Sequence, residues 1–359
     1  MPQLQLLSSA GQVAAHLRAE LVEGRLRGLM PGVLRLEADL GVNRKAIDAA
    51  LKQLENEGLL VAQGPGRRRR IVLPDSLAES SLRVAILLGE AADQAQGYMV
   101  ELQHELMEAG HVAFFPPIWM VDLGMDARRI ARLVRRTEAD AWVIVAGSRE
   151  VLEWFVAQRT PAFALFGRRR GLPLAGVGPD KPPATVAATR ALIDLGHRRI
   201  VLLVRPRRRL PRPGASEQAF LDELAAHGLL VGDYHLPGWD ETPQGFHACL
   251  EALFRITPPT ALIVDEVPLF TATQQFLARR RLRVPEDVSL ISTDADPAFD
   301  WCQPTISHIR WDTRPVVRRV VRWAANVARG REDLRQTLTP AEFIPGGTIG
   351  PVRRSISGQ

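Results

Sequence analysis

The chain has 359 residues, 46% of them hydrophobic and 24% charged. That excludes a disordered or fibrous protein, and it is too long for one ordinary core, so two or three domains are expected. A net charge of +6 permits a polyanionic partner without requiring one.

Lys45, Lys52 and Lys181 are the only lysines, so arginine carries almost all the basic charge and a single Arg run is a weak signal. Cys249 and Cys302 have no metal-ligand spacing, so neither a zinc site nor a disulfide framework is implied. The N-terminal MPQLQLLSSAGQ has no basic region or apolar core of a secretory signal. No apolar run reaches the roughly 18 residues needed to span a bilayer. A cytoplasmic protein without membrane contact is expected.

In chain order, Ser9 can cap a first helix whose Val13, Leu17 and Leu21 share one face. Gly24 and the Gly28–Gly32 stretch break it. A short helix over about 34–40 is closed by Gly41 in a C-cap position. Asn43 then caps a third helix with an apolar stripe of Ile47, Ala50, Leu51 and Leu54, ended by Gly58. Two short β-prone runs around Gly64-Pro65-Gly66 read as a hairpin. Residues 74–81 are polar and aperiodic, as a linker is.

From Leu82 onward, buried strands alternate with helices. Strands are expected at 82–89, in HVAFF, and at 141–147, 162–167, 199–204, 261–266, 287–293 and 305–311, with a last one near 342–345. Helices are expected near 97–109, 124–136, 149–158, 183–195, 215–227, 244–255, 269–280 and 313–329. The strands are apolar without polar alternation, as in parallel sheets covered on both faces. Two runs of βα units in series predict two doubly wound lobes.

Helix, Gly-containing turn and second helix is the helix-turn-helix layout, in which the start of the second helix meets base edges in the major groove. Arg44, Lys45 and Asp48 project away from the apolar stripe. An arginine there can pair with a guanine, a lysine with guanine or phosphate, and an aspartate with a cytosine amino group. Asp48 can also pair with Arg44 one turn back.

The segments HLRAELVEGRLRGLMPG, LEADLGVNRKAIDAALKQLENEGLLV and GPGRRRRIV together resemble the winged helix of GntR-type regulators. The resemblance implies that Asn43, Arg44 and Lys45 open a recognition helix. It also implies that a wing around 64–70, with Arg67, Arg68 and Arg69, approaches the minor groove. The chain departs from the family at Asp48, where an Arg is usual.

The segments VGPDKPPATVAATRALIDLGHRRIVLL, PPTALIVDE, RVPEDVSLISTDADP and PTISHIRWDTRPVVRRVVRWAANV resemble the effector domain of LacI-type regulators, which is like periplasmic sugar-binding proteins. The resemblance implies two lobes joined by crossing strands, an effector in the cleft between them, and a ligand-contacting Asp294. Ligands of open α/β sheets sit beyond the carboxyl ends of strands. The polar residues there are Glu90, Gln96 and Tyr98, Ser148, Asp265 and Glu266, and Asp294. Carboxylates and an aromatic suit a polyhydroxylated, sugar-like ligand. The family's usual Arg at the start of the helix near 216 is replaced by Ser216, with Arg205 and Arg212 nearby to stand in for it.

The expected architecture is an α+β winged helix-turn-helix domain over 1–73, a linker over 74–81 and an α/β two-lobe effector domain over 82–354. Lobe 1 is expected at about 82–178 plus 311–330, and lobe 2 at about 183–303 plus 340–350. The expected function is transcription regulation, as a repressor. The expected partners are a double-stranded DNA operator, a small sugar-like effector and a second copy of the chain as a homodimer. The alternatives are a regulator with a vestigial or non-sugar pocket that works through dimerisation, and an α/β enzyme. No GxSxG elbow, P-loop or GxGxxG follows the first strand, and the one lysine beyond residue 52, Lys181, sits in a Pro-rich segment. No catalytic residue, metal or cofactor is therefore expected.

Overall fold

The computed structural model describes residues 9–22, 26, 28–64, 67–72, 81–209 and 212–353. The expected break at Gly24, the hairpin tip Pro65-Gly66 and nearly all of the expected linker lie outside the described residues.

The N-terminal part consists of α1 (Ser9–Val22), α2 (Val33–Leu40), α3 (Arg44–Asn56), β1 (Leu60–Val61) and β2 (Arg70–Ile71). Val13, Leu17 and Leu21 of α1 pack with Leu36 of α2 and with Ile47, Ala50, Leu51 and Leu54 of α3 in one core. Gly41 ends α2 in the left-handed region at φ 64°, a conformation that costs a Cβ-free residue little. Its N–H donates to Glu37 O at 3.0 Å. Two residues on, Asn43 adopts extended backbone and its side chain accepts from Ala46 N at 2.9 Å, which opens α3. β1 and β2 pair antiparallel, Leu60 opposite Ile71. Arg18 of α1 donates two hydrogen bonds to Glu57 after α3, at 2.9 and 2.5 Å, and this guanidinium holds the Glu57 carboxyl below the usual range.

The chain divides into two compact units. Unit 1 contains the residues up to Val145, Trp154–Phe163 and Val317–Leu334; unit 2 contains Ala146–Glu153, Ala164–Val316 and Arg335 onward. In unit 1, β3 (Arg83–Leu87) lies parallel between β4 (Val112–Phe114) and β5 (Ala141–Val145), all apolar and nearly all buried. α4 (Gly97–Glu108) buries Met99, Leu102 and Leu106, and α5 (Ala127–Arg136) buries Ile130 and Ala131. Arg319 donates to Asp333 at 2.9 Å in the interior of this unit, and its guanidinium lies 5.3 Å from the centre of the Phe163 ring. Asn326 donates to the other Asp333 oxygen at 2.9 Å.

The boundary between the units falls within β6 (Ala162–Leu165). α6 (Arg149–Val156) precedes it, and β7 (Ala175–Asp180), α7 (Lys181–Asp194), β8 (Ile200–Leu203), α8 (Ala215–Ala226), α9 (Pro243–Ile256), β9 (Ala261–Val264), α10 (Val267–Arg279), β10 (Ser289–Ser292), β11 (Ser307–Trp311), α11 (Arg314–Ala328) and β12 (Gln336–Ile344) follow. Strands of unit 2 are ordered β7-β12-β11-β10-β9-β8. β8 to β11 are mutually parallel, and β12 runs antiparallel to β11 and parallel to β7. The last strand is longer than the 342–345 expected. Residues 336–340 read as a polar, Pro-containing connection, but they pair with 176–180 of β7. Pairing with two neighbours sets this strand, and its own pattern is mostly exposed.

The Leu-Gly-His segment has a structural purpose. His197 is buried, with Nδ1 3.0 Å from Thr260 Oγ1 and Nε2 2.9 Å from Gly350 O. A neutral ring protonated on Nε2 satisfies both partners. Burial pushes its pKa down, the Gly350 hydrogen bond opposing. Gly350 N in turn donates to Ser289 Oγ at 3.0 Å, which fastens the C-terminal segment to β10.

Candidate functional site

At the N-terminal module, the core face of α3 leaves Arg44, Lys45 and Asp48 exposed on the other side. Arg44 Nε lies 3.6 Å from Asp48 Oδ2, with side chains 72% and 49% exposed. An i,i+4 pair of this kind biases the arginine rotamer while leaving its remaining N–H donors open to solvent. In the wing, Arg67 and Arg68 are exposed. Arg69 differs: its guanidinium is engaged by Glu55 of α3, both half-buried. Met30 N donates to Arg69 O at 2.9 Å, so this residue ties the wing to the helical core.

In unit 2, Ser148, Asp265, Glu266 and Asp294 all follow the carboxyl ends of strands. Ser148 Oγ accepts from Val151 N at 3.3 Å at the start of α6. Asp265 accepts from Thr293 Oγ1 at 2.5 Å, which links the ends of β9 and β10. Glu266 accepts from Arg205 Nε at 2.9 Å. Asp294 accepts from Lys181 Nζ at 2.6 Å and from Trp311 Nε1 at 3.4 Å, and the Trp311 ring meets Phe166 edge-on with centroids 5.4 Å apart. Ser216 is half-buried in the first turn of α8.

The backbone here is constrained. Ala146, Phe166 and Glu266 have φ of 55°, 62° and 63°, each at most two residues beyond the end of β5, β6 or β9. Side-chain-bearing residues held in the left-handed region gather where a scaffold must present groups in a fixed direction. Gly167 allows one close approach: a Cβ there would stand 2.6 Å from Gly147 O.

Glu90, Gln96 and Tyr98 belong to unit 1. Glu90 N donates to Asp93 Oδ2 at 2.9 Å, Gln96 is the exposed residue preceding α4, and Tyr98 is half-buried in its first turn.

Sequence reasoning passed over several groups of this cluster. Lys181 served there only to weigh against a cofactor, yet it pairs with Asp294 from 113 residues away. Glu217, next to Ser216, is half-buried; burial pushes its carboxyl pKa up and nearby Asp265 adds to this, while Arg168 and Arg209 oppose. Arg209 donates to Leu236 O at 2.5 Å and Pro237 O at 2.7 Å. Arg169 is 8% exposed and lies against Gly176 and Gly178 of β7, where a Cβ on Gly176 would meet its Cδ at 2.5 Å. The glycines of GVG were the one visible trace of that buried side chain. Among the described residues, no group of three or more His, Cys, Asp or Glu is arranged to hold a metal, and no helix is long and apolar enough to cross a membrane.

Residues 9–68 match the family described as bacterial regulatory proteins, gntR family, and residues 189–349 match the periplasmic binding protein-like domain. The helix-turn-helix-type transcriptional regulator RafR of Escherichia coli is 32% identical over 193 residues, 53% of this chain and 56% of that protein. The chain thus spans about half the length of the curated relatives it matches. A crystal structure of a LacI family transcriptional regulator from Enterococcus faecium with bound ribose has a TM-score of 0.60 at 16% identity, covering 76% of this chain and 100% of that one. A complex of the transcriptional regulator CelR with cellobiose has a TM-score of 0.61 at 18% identity, covering 89% and 100%. At these identities the solved structures establish the fold. The chain therefore joins a gntR-family helix-turn-helix domain to a two-lobe periplasmic binding protein-like domain, the make-up of the helix-turn-helix transcriptional regulators it resembles.

Proposed function

We propose that the protein is a sequence-specific DNA-binding transcription regulator, acting as a repressor, whose DNA affinity is set by a small polar effector. The observation that carries the first half is α3: one face is core, and the other offers Arg44, Lys45 and Asp48 to solvent from a helix start fixed by Asn43. In a helix-turn-helix these positions meet base edges, while Arg67 and Arg68 of the wing add phosphate or minor-groove contacts. Arg69 supports the wing and leaves DNA contact to its neighbours. Binding as a homodimer to an inverted repeat follows from the symmetry such readers share with their sites.

The second half rests on the strand ends of unit 2, where Asp265, Glu266 and Asp294 converge on strained backbone, with Ser148 and Ser216 contributing hydroxyls. Glu90, Gln96 and Tyr98 are assigned to the same ligand as contacts from unit 1. The relatives complexed with ribose and cellobiose support a sugar-like effector. Each of these three carboxylates already accepts from a cation or hydroxyl, a pattern that suits ligand binding better than acid–base catalysis. Effector and DNA must then influence each other by the same factor. Measuring effector affinity with and without bound DNA tests this; equal affinities contradict it.

A further inference from the structure

The ends of β5 and β6 are drawn together unusually tightly. Arg168 N donates to Gly147 O at 3.1 Å, Ala146 and Phe166 are both left-handed, and only a glycine fits at 167. This fixes the roots of two arginines, Arg149 and Arg168, beside one another. A third arrives through Arg212, whose carbonyl accepts from Arg168 Nη2 at 2.7 Å. Arg149 is held by Glu153 at 2.6 Å and by Arg170 O at 2.6 Å. The guanidiniums of Arg149 and Arg212 are close enough to repel that of Arg168, which is also partly desolvated. Gathering like charges costs free energy unless an anion completes the set. The facing carboxylate, Glu217, is a weak complement, because burial and Asp265 both favour its protonated form.

We propose that the effector is anionic, a sugar-like molecule bearing a phosphate or carboxylate, and that Arg168 with Arg149 and Arg212 forms the subsite for that group. This rests on the effector reading above. Three planar donors around one point match the geometry of a phosphate or carboxylate, and a neutral hydroxyl uses only part of them. Glu217 competes for the same guanidinium, so it sets how tightly the anion is held.

The test is calorimetric titration and thermal shift of the full chain with inorganic phosphate, glucose 6-phosphate, glucuronate and glucose, at constant ionic strength balanced with chloride. The anionic sugars are expected to bind about ten-fold or more tighter than glucose, and inorganic phosphate to compete with them. Tighter binding of glucose 6-phosphate assigns the subsite to phosphate; tighter binding of glucuronate assigns it to carboxylate. Arg168→Gln and, as a second variant at a more peripheral side chain, Arg149→Gln weaken phosphate about ten-fold, and Glu217→Gln tightens it a few-fold. Glucose binding as tightly as its anionic forms overturns the inference while leaving the effector reading intact, as does phosphate affinity unchanged in both arginine variants. Silence of all four probes contradicts the effector reading itself, and the inference falls with it.

Discussion

Asp48 beside Arg44 makes a prediction that separates folding from reading. The two side chains are 3.6 Å apart and 72% and 49% exposed, so their pairing contributes only about 0.3–0.5 kcal/mol to stability. Arg44→Ala or Asp48→Ala should therefore move the unfolding midpoint of a small domain by about 2 °C or less. On DNA the scale differs, because a bidentate arginine–guanine contact is worth about 1–3 kcal/mol, or roughly 5- to 150-fold. Asp48 acts in two opposed ways. Its charge, about 8 Å from a phosphate in water-like surroundings, repels by about 0.5 kcal/mol, so Asp48→Ala should tighten random DNA about two-fold. If Asp48 also orients Arg44, the same change should weaken the preferred site. The assay is a double-mutant cycle of Arg44→Ala and Asp48→Ala, followed by fluorescence anisotropy on a selected duplex and a scrambled one. The expected coupling is about 1 kcal/mol on the selected duplex and near zero on the scrambled one. Asp48→Ala tightening both duplexes equally would refute the positioning argument. Arg44→Ala weakening both equally would make Arg44 a phosphate contact.

Other outcomes follow from the buried groups. Arg319 and Asp333 are 8% and 3% exposed, so Asp333→Ala strands a buried guanidinium and should cost about 3–5 kcal/mol in urea unfolding, with Asp333→Asn milder. His197 is pushed below its ordinary value of 6.5, so its share of stability is complete above about pH 6.5 and is lost as pH falls through the folded-state pKa. Urea midpoints from about pH 7.5 down to about pH 5 should fall in the wild type and flatten in His197→Gln. Glu217 is pushed above its ordinary value of 4.5, so its ionised form opposes folding at neutral pH. Glu217→Gln should raise the unfolding midpoint at about pH 7.5, and the difference should vanish below about pH 4.5; a lower midpoint at neutral pH would show that the carboxylate is needed by its arginines.

The locally encoded features were legible from sequence. Asn43, Gly41 and the Ile47–Leu54 stripe act within a few residues of themselves, so cap, turn and core face follow from spacing. The apolar runs of β3, β5 and β9 announced buried parallel strands for the same reason. What escaped depends on distant partners. Residues 336–340 are a strand because β7 lies alongside, and Lys181 matters because Asp294 comes to it across the fold. Arg69 was one arginine in a run until Glu55 distinguished it from Arg67 and Arg68. Arg149 and Arg168 are brought together by two strained turns whose φ angles no composition reveals.

The central claim is that α3 reads a DNA sequence. The most direct measurement is selection of bound duplexes from a random double-stranded pool by the full chain, sequenced over successive rounds. An enriched inverted repeat with half-sites about 10 base pairs apart, lost with Arg44→Ala, is the predicted result. A bound pool that stays random in sequence while the protein remains folded would contradict it.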